Sequence, residues 1–174
     1  STPIANRVAI MSEVMRDVLN EEFNSGDTDS VVAASQRLGS VTCELLNDQE
    51  VVTQQLCNVL HHDYATFTHC TNVSMYCVLL ARELGFSTEA IEELAVGGLL
   101  HDLGKLQIDE RILNKPGRLD EWEFREIKKH PVTGFTLLAE RDDLSFGQMM
   151  MTYQHHERID GSGYPVGCTG EEIH

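Results

Sequence analysis

An all-α fold is predicted by three observations. Apolar residues recur at three- and four-residue steps over most of the chain, capping residues punctuate those stripes, and no alternating strand pattern of useful length occurs. Ile4, Val8, Met11, Met15, Val18 and Phe23 form a first stripe, interrupted at Asn24-Ser25-Gly26-Asp27. Val31, Ala34, Leu38, Val41 and Leu45 form a second, broken by Asn47-Asp48, and a third helix is expected to start near Glu50. Short polar breaks between stripes of this length predict an N-terminal helical hairpin. After Asp63 the pattern resumes as Val73, Tyr76, Cys77, Leu80 and Leu84 and stops at Gly85, where a left-handed C-cap is expected. Ser87 then caps a helix with Glu89 in its first turn, an apolar run to Leu100 and an end marked by Gly104. Residues 106–119, with Asn114-Lys115-Pro116-Gly117, read as a loop. Asp120 and Glu123 are spaced as a capping box opening the helix expected to carry His130, which Pro131 perturbs. Ser145 begins a methionine-rich helix that delivers His155 and His156 ahead of a glycine-rich segment.

Of 174 residues, 41% are hydrophobic and 24% charged, enough for one compact domain with a core and a helical appendage. The net charge of −15, from 28 acidic against 13 basic residues, argues against a nucleic-acid polymer or an anionic membrane surface as the main partner. An anionic substrate would need positive charge supplied locally. Five cysteines (Cys43, Cys57, Cys70, Cys77, Cys168) form no C-x-x-C pair, their number is odd, and three of them fall on apolar stripes of predicted helices. They read as reduced core thiols of a cytoplasmic protein. No run approaches membrane-spanning length, so direct membrane insertion is not expected. The chain opens on Ser1-Thr2-Pro3 without methionine, which suggests a piece of a longer protein with an upstream sensor or receiver domain. The N-terminal stripes serve core packing or a homodimer.

His69, the pair His101-Asp102, His130, and the pair His155-His156 recur at about thirty-residue intervals, each at or beside a predicted helix end. One histidine alone is better read as core or surface; their joint occurrence predicts a multinuclear metal site. Successive helical residues project about 100° apart, so an adjacent pair grips one ion only where the helix ends. A carboxylate has two oxygens and can bridge two ions, which places Asp102 between them. Lys105, four residues after His101, is expected to meet a phosphate oxygen or leaving group. His61, His62 and His174 lack such support, and Asp63 is expected to hold a ligand from outside the centre. Nitrogen and oxygen donors without sulfur suit iron, manganese, nickel, cobalt or zinc. Two divalent ions around one carboxylate leave a cationic pocket that attracts a phosphodiester. A hydroxide bridging ions about 3.5–4 Å apart could then attack it, with Asp102 and Lys105 as the catalytic side chains and no nucleophilic residue required. Because ligating imidazoles must be neutral, metal loss is expected below about pH 6.5.

His101-Asp102-Leu103-Gly104-Lys105 resembles the H-D-x-G-K motif of the HD superfamily of metal-dependent phosphohydrolases. The run from His155 to Pro165 is similar to the H-H-E-R-x-D-G-x-G-Y-P segment of HD-GYP domains, and Ile112 to Gly117 with Lys129-His130-Pro131 is similar to the stretch between. The resemblance covers residues 61–174 and implies an HD-type helical bundle there, with residues 1–60 as an N-terminal helical extension. It implies hydrolysis of the cyclic dinucleotide cyclic di-GMP to pGpG and sometimes GMP, with iron or manganese as the usual metal. Carried over residue by residue, the metal ligands are His69, His101, Asp102, His130, His155 and His156, and the active-site lysine is Lys105. Tyr164 would border the substrate, while Arg158, Asp160, Gly161, Gly163 and Pro165 shape the loop, the two glycines by adopting positive φ. Members with three metals carry a glutamate one turn before the first ligand; Ala65 stands there, so two ions are expected. The family's later aspartate ligand follows the G-Y-P segment beyond His174, so reduced metal affinity at one position and little turnover are expected of these residues alone. An alternative reading is a catalytically weak metal-binding module that docks a diguanylate cyclase (GGDEF) domain through the Gly163-Tyr164-Pro165 loop.

Overall fold

Apolar stripes that cannot face water assemble here as helices alone. The computed structural model describes residues 4–46 and 66–174. Among the described residues there are eight α-helices, one 3-10 helix and no strand. The helix expected near Glu50, Cys57, the His61-His62-Asp63 cluster, Ala65 and the boundary expected between residues 60 and 61 lie outside them. The chain divides into two compact units, residues 1–100 and 101–174.

In the first unit, α1 (Ile4–Ser25) and α2 (Thr28–Leu46) are joined by two residues, Gly26 and Asp27, and pack on one another. Val8, Met15, Leu19 and Phe23 bury one face of α1. Val41 does not take its expected place in the core: it is exposed, and Thr42 is buried instead. The Thr42 hydroxyl donates to the Leu38 carbonyl at 2.7 Å, which removes the penalty of burying it. Further on, α3 (Thr66–Glu83) packs on α1 and α2, and α4 (Thr88–Leu100) packs on α2 and α3. The end of α3 is a Schellman arrangement: Gly85 adopts φ 75°, its N–H donates to Arg82 and that of Phe86 to Ala81. Ser87 caps α4 through the Ala90 N–H. Residues Ala95 to Leu100 are buried all round, so α4 is the central helix of this unit.

The face that α3 buries differs from the predicted one. Tyr76, Leu80 and Leu84 are exposed, while Cys70, Ser74, Met75, Val78 and Ala81 face inward. Small size decides this, because Gly98 of α4 lies directly against the Ser74 backbone and the Ser74 hydroxyl donates to the Ala95 carbonyl at 2.8 Å. Helix-to-helix approach at that distance admits only small residues at the crossing itself, and Met75, Val78 and Leu79 are buried beside it. Cys43, Cys70, Cys77 and Cys168 are free thiols, and burial followed by Glu92 pushes Cys43 up to about 11.

The second unit begins with His101, Asp102 and a 3-10 helix, Leu103–Gln107. Residues 106–119 are not simply a loop: Asp109 caps the short α5 (Glu110–Leu113) by accepting from the Arg111 N–H at 2.9 Å. The Asp120–Glu123 capping box opens α6 (Glu121–Ile127), which stops before His130 rather than carrying it. His130 instead starts α7 (His130–Leu138), with Pro131 in its first turn, where a missing N–H costs nothing. Ser145 and Gln148 form a second capping box on α8 (Phe146–Gln154), which packs on α7. The 3-10 helix lies against α7 because Gly104 and Gly134 face one another: a side chain at Gly104 would collide with the His130 carbonyl and the Gly134 N–H. Gly104 is therefore a contact point rather than a helix stop. Among the described residues no helix is long and apolar enough to cross a membrane.

Gly98 gives a test in which two effects oppose. Replacing a mid-helix glycine by alanine gains up to about 1 kcal/mol of helix propensity. The new Cβ would stand 2.8 Å from Ser74 Cα, and such overpacking costs about 1–3 kcal/mol. Gly98→Ala is expected to lower the urea midpoint; a raised midpoint would show that α3 and α4 separate freely.

Candidate metal centre

The local fold brings the second unit's candidate ligands to helix boundaries. His101 and Asp102 occupy the turn after α4, His130 opens α7, and His155 closes α8 with His156 one residue on. His130, Asp102 and His101 are almost fully buried, with 0%, 1% and 4% exposure, whereas His155 and His156 are half-buried. The cluster therefore opens to solvent on the His155–His156 side. His69 lies in the first turn of α3 and is exposed. His174 packs on Phe146, with ring centroids 5.3 Å apart.

Asp102 is the centre of the cluster. Its Oδ1 lies 3.3 Å from His130 Nε2 and 3.6 Å from His155 Nε2. Its Oδ2 lies 3.3 Å from His101 Nε2 and 2.6 Å from Lys105 Nζ. The two oxygens thus face different histidines, the arrangement a bridging carboxylate requires. Lys105 reaches Asp102 across the 3-10 turn instead of sharing a helical face with His101, since α4 has already ended. Burial would push the Asp102 carboxyl up, but contacts from His101, His130 and His155 overcome this and hold it far below the usual carboxylate range.

The tautomers of two rings follow from their backbone contacts. His130 Nδ1 lies 2.7 Å from the Ile127 carbonyl and His155 Nδ1 lies 3.0 Å from the Thr152 carbonyl. Carbonyls only accept, so in each neutral ring Nδ1 carries the hydrogen and Nε2 presents its lone pair. Those two Nε2 atoms are 3.0 Å apart, with Asp102 Oδ1 beside them. Three electron-rich atoms converging in a buried space need a cation between them. A shared proton is one such cation, but burial, followed by the neighbouring charges, depresses His155, and His156 is lowered to about 3 chiefly by burial and His155. Rings that resist protonation and are aimed by carbonyls are suited to a divalent metal. Ligand-type atoms of Asp102, His130, His155 and His156 all lie within 4.8 Å of one another, and this donor set fits such an ion.

The segment after His156 folds back on the cluster. Tyr164 stacks on His156 with centroids 4.6 Å apart and an interplanar angle of 19°, and the Tyr164-Pro165 bond is cis. Burial, then Asp102, pushes the Tyr164 phenol up to about 12. Asp160 Oδ1 accepts from the Ser162 N–H at 3.0 Å and from its hydroxyl at 2.6 Å, and Arg158 Nε donates to the same hydroxyl at 3.0 Å. Gly161 adopts φ 74°, but Gly163 does not have positive φ. Gly163 is required because a side chain there would strike the backbone of His156 to Arg158. Sequence reasoning also passed over Glu157, whose carboxylate accepts from the N–H groups of Val166 at 2.7 Å and Gly167 at 3.0 Å. Its place directly after the histidine pair was the available signal.

The sequence profile of the HD domain family matches residues 40–174. The chain belongs to the HD domain family. Its H-D and G-Y-P motifs make it an HD-GYP domain. A cyclic di-GMP phosphodiesterase of Pseudomonas aeruginosa, PA4108, is 39% identical over 64% of this chain and 27% of its own length. The 3'3'-cGAMP-specific phosphodiesterase 1 of Vibrio cholerae is 43% identical over 62% of this chain and 25% of its own. The response regulator RpfG of Xanthomonas campestris, also a cyclic di-GMP phosphodiesterase, is 35% identical over 72% of this chain and 34% of its own. The chain thus spans about a quarter to a third of these relatives. The solved structure of Bd1817, a HDG"Y"P protein from Bdellovibrio bacteriovorus, superposes over 100% of this chain and 57% of its own with a TM-score of 0.78 at 22% identity, which shows a shared helical fold.

An acid test follows for the metal-free HD domain. His155 and His156 have depressed values in the fold, so unfolded chains bind more protons than folded ones below about pH 6.5. That part of the stability is present above pH 6.5 and is lost progressively as pH falls from there toward about 3; Asp102 adds to the loss only below about pH 4. The melting temperature is expected to fall by about 5 °C between pH 7 and pH 5, and by less in His156→Ala. An equal fall in both proteins, followed by calorimetry, would refute the assignment of the slope to this cluster.

Proposed function

We propose that this HD domain hydrolyses a phosphodiester of a cyclic dinucleotide such as cyclic di-GMP, giving linear pGpG and, on further turnover, GMP. One observation carries the reading: a fully buried carboxylate whose two oxygens face separate imidazoles, beside a lysine and open to solvent on one side. The naming of relatives at 35–43% identity as cyclic di-GMP or 3'3'-cGAMP phosphodiesterases supports the substrate class. Two divalent ions are assigned to His69, His101, Asp102, His130, His155 and His156; the donors suit iron, manganese, nickel, cobalt or zinc, and the resemblance to HD-GYP domains favours iron or manganese among them. When bound, they would supply the acidified water and the positive charge that diester hydrolysis needs.

The side chains do the positioning. Asp102 holds the centre together through both oxygens. Lys105 carries three N–H donors and gives one to Asp102, leaving two for a non-bridging phosphate oxygen or the leaving oxygen. Tyr164, stacked on His156 at the open side, offers a face against which a base or ribose can lie. In the reaction, water adds to phosphorus, the P–O3′ bond breaks, and the water's proton passes to the departing oxygen. Within a cytoplasmic signalling protein, the domain would take its input from an upstream sensor or receiver domain.

A second reading rests on Ile159 and Val166, which are 82% and 61% exposed on the G-Y-P loop. They would form part of a docking surface for a diguanylate cyclase (GGDEF) domain. The full-length protein, loaded anaerobically with ferrous iron or with manganese, is expected to convert cyclic di-GMP to the linear dinucleotide on chromatography and to contain two ions per HD domain. Asp102→Asn should lose at least about 100-fold of that activity, and Lys105→Ala about 100-fold in kcat with its metal content intact. Metal-replete protein that forms no product would favour the docking module.

A further inference from the structure

Resting on the cyclic dinucleotide reading, we infer that Lys128 is a substrate-docking residue that receives the second, non-reacting phosphate of the ring. The chain contains four lysines. Three are neutralised by carboxylates: Lys105 by Asp102 at 2.6 Å, Lys115 by Glu123 at 2.6 Å and Lys129 by Glu126 at 2.6 Å. Lys128 has no carboxylate partner among the described residues. Its ammonium is held over two rings instead, 4.9 Å from the Phe124 centroid and 5.7 Å from that of Tyr164.

The two kinds of contact have different consequences. A carboxylate offsets the lysine charge and occupies part of its donor set, whereas an aromatic face orients the ammonium and leaves its charge and donors available to a ligand. In a chain of net charge −15, such a cation offers an anionic ligand an attraction that the surrounding protein does not. Its location gives it a use, because the Tyr164 ring against which it rests is the one stacked 4.6 Å from His156. Lys128, Tyr164 and His156 therefore form a continuous run from the buried ligands to the cluster's solvent-open rim. Lys128 also caps the end of α6, two residues before His130, so backbone geometry shared with a ligand fixes its position.

A cyclic dinucleotide carries two phosphates on opposite sides of its macrocycle. If one is cleaved beside Asp102 and Lys105, the other projects toward the rim and needs its own counter-charge. A diester with a single phosphate has no such requirement. Lys128 thereby becomes a selectivity-determining contact, distinct from the groups that act on the reacting phosphorus.

The test compares cyclic di-GMP with bis(p-nitrophenyl) phosphate, a diester with one phosphate, using manganese-loaded wild type, Lys128→Ala and Lys128→Arg. Lys128→Ala is expected to raise KM for cyclic di-GMP about tenfold with a much smaller change in kcat, and to lower the selectivity for cyclic di-GMP over the simple diester by a similar factor. Lys128→Arg should restore most of both, since it keeps the charge. The KM gap between wild type and Lys128→Ala should narrow at high salt, where charge contacts at the rim are screened. Equal losses on both substrates, or loss of bound manganese in Lys128→Ala, would make Lys128 a structural clamp on Tyr164 and overturn the inference. Wild-type protein that cleaves the simple diester but no cyclic dinucleotide would overturn the functional reading itself. Wild-type turnover of cyclic di-GMP with an unshifted KM in Lys128→Ala would overturn the inference alone.

Discussion

Asp102 is a carboxylate with 1% exposure, and the rest of the second unit is arranged to keep it charged. A buried, ionised carboxylate costs several kcal/mol unless paired. Lys105 and the imidazoles of His101, His130 and His155 surround it, and no apolar packing could stand in for them. The same constraint explains the close backbone packing. For His130 to reach Asp102, α7 must start against the 3-10 helix, and only the facing glycines Gly104 and Gly134 allow that approach. A divalent ion bound by these imidazoles and by Asp102 would add to the stability of the folded unit, because the unfolded chain does not bring them together.

Much of this architecture is written in local sequence. Helix boundaries at Gly85, Asp120 and Ser145 were legible because capping depends on residues within one turn. The clustering of His101, Asp102, His130, His155 and His156 was legible for a different reason: ligand residue types recur at helix ends, where adjacent side chains can converge. The buried face of α3 was not legible. Hydrophobicity pointed to Leu80 and Leu84, but the contact is set by Ser74 against Gly98, and a small-residue contact leaves no apolar pattern. The break between α6 and α7 was half legible, with Pro131 visible but the Ile127 carbonyl's contact with the His130 ring not.

Roles that depend on distant backbone were beyond sequence reasoning. Gly104 and Gly163 looked like conformational glycines, yet both are contact glycines whose missing Cβ makes room for another stretch of chain. Glu157 has no role that local sequence assigns, and it anchors the loop that carries Tyr164. Lys128 acquires its meaning only when Tyr164 folds back over it.

The Glu157 anchor has an evolutionary consequence. By gripping main-chain N–H groups and no side chain, it secures the curve of the loop whatever residues occupy positions 159 and 166. Side-chain changes at those two exposed positions that keep the main-chain N–H groups would therefore leave the ring stacked on His156 undisturbed. The loop's outer surface and its inner, imidazole-facing side are free to vary independently.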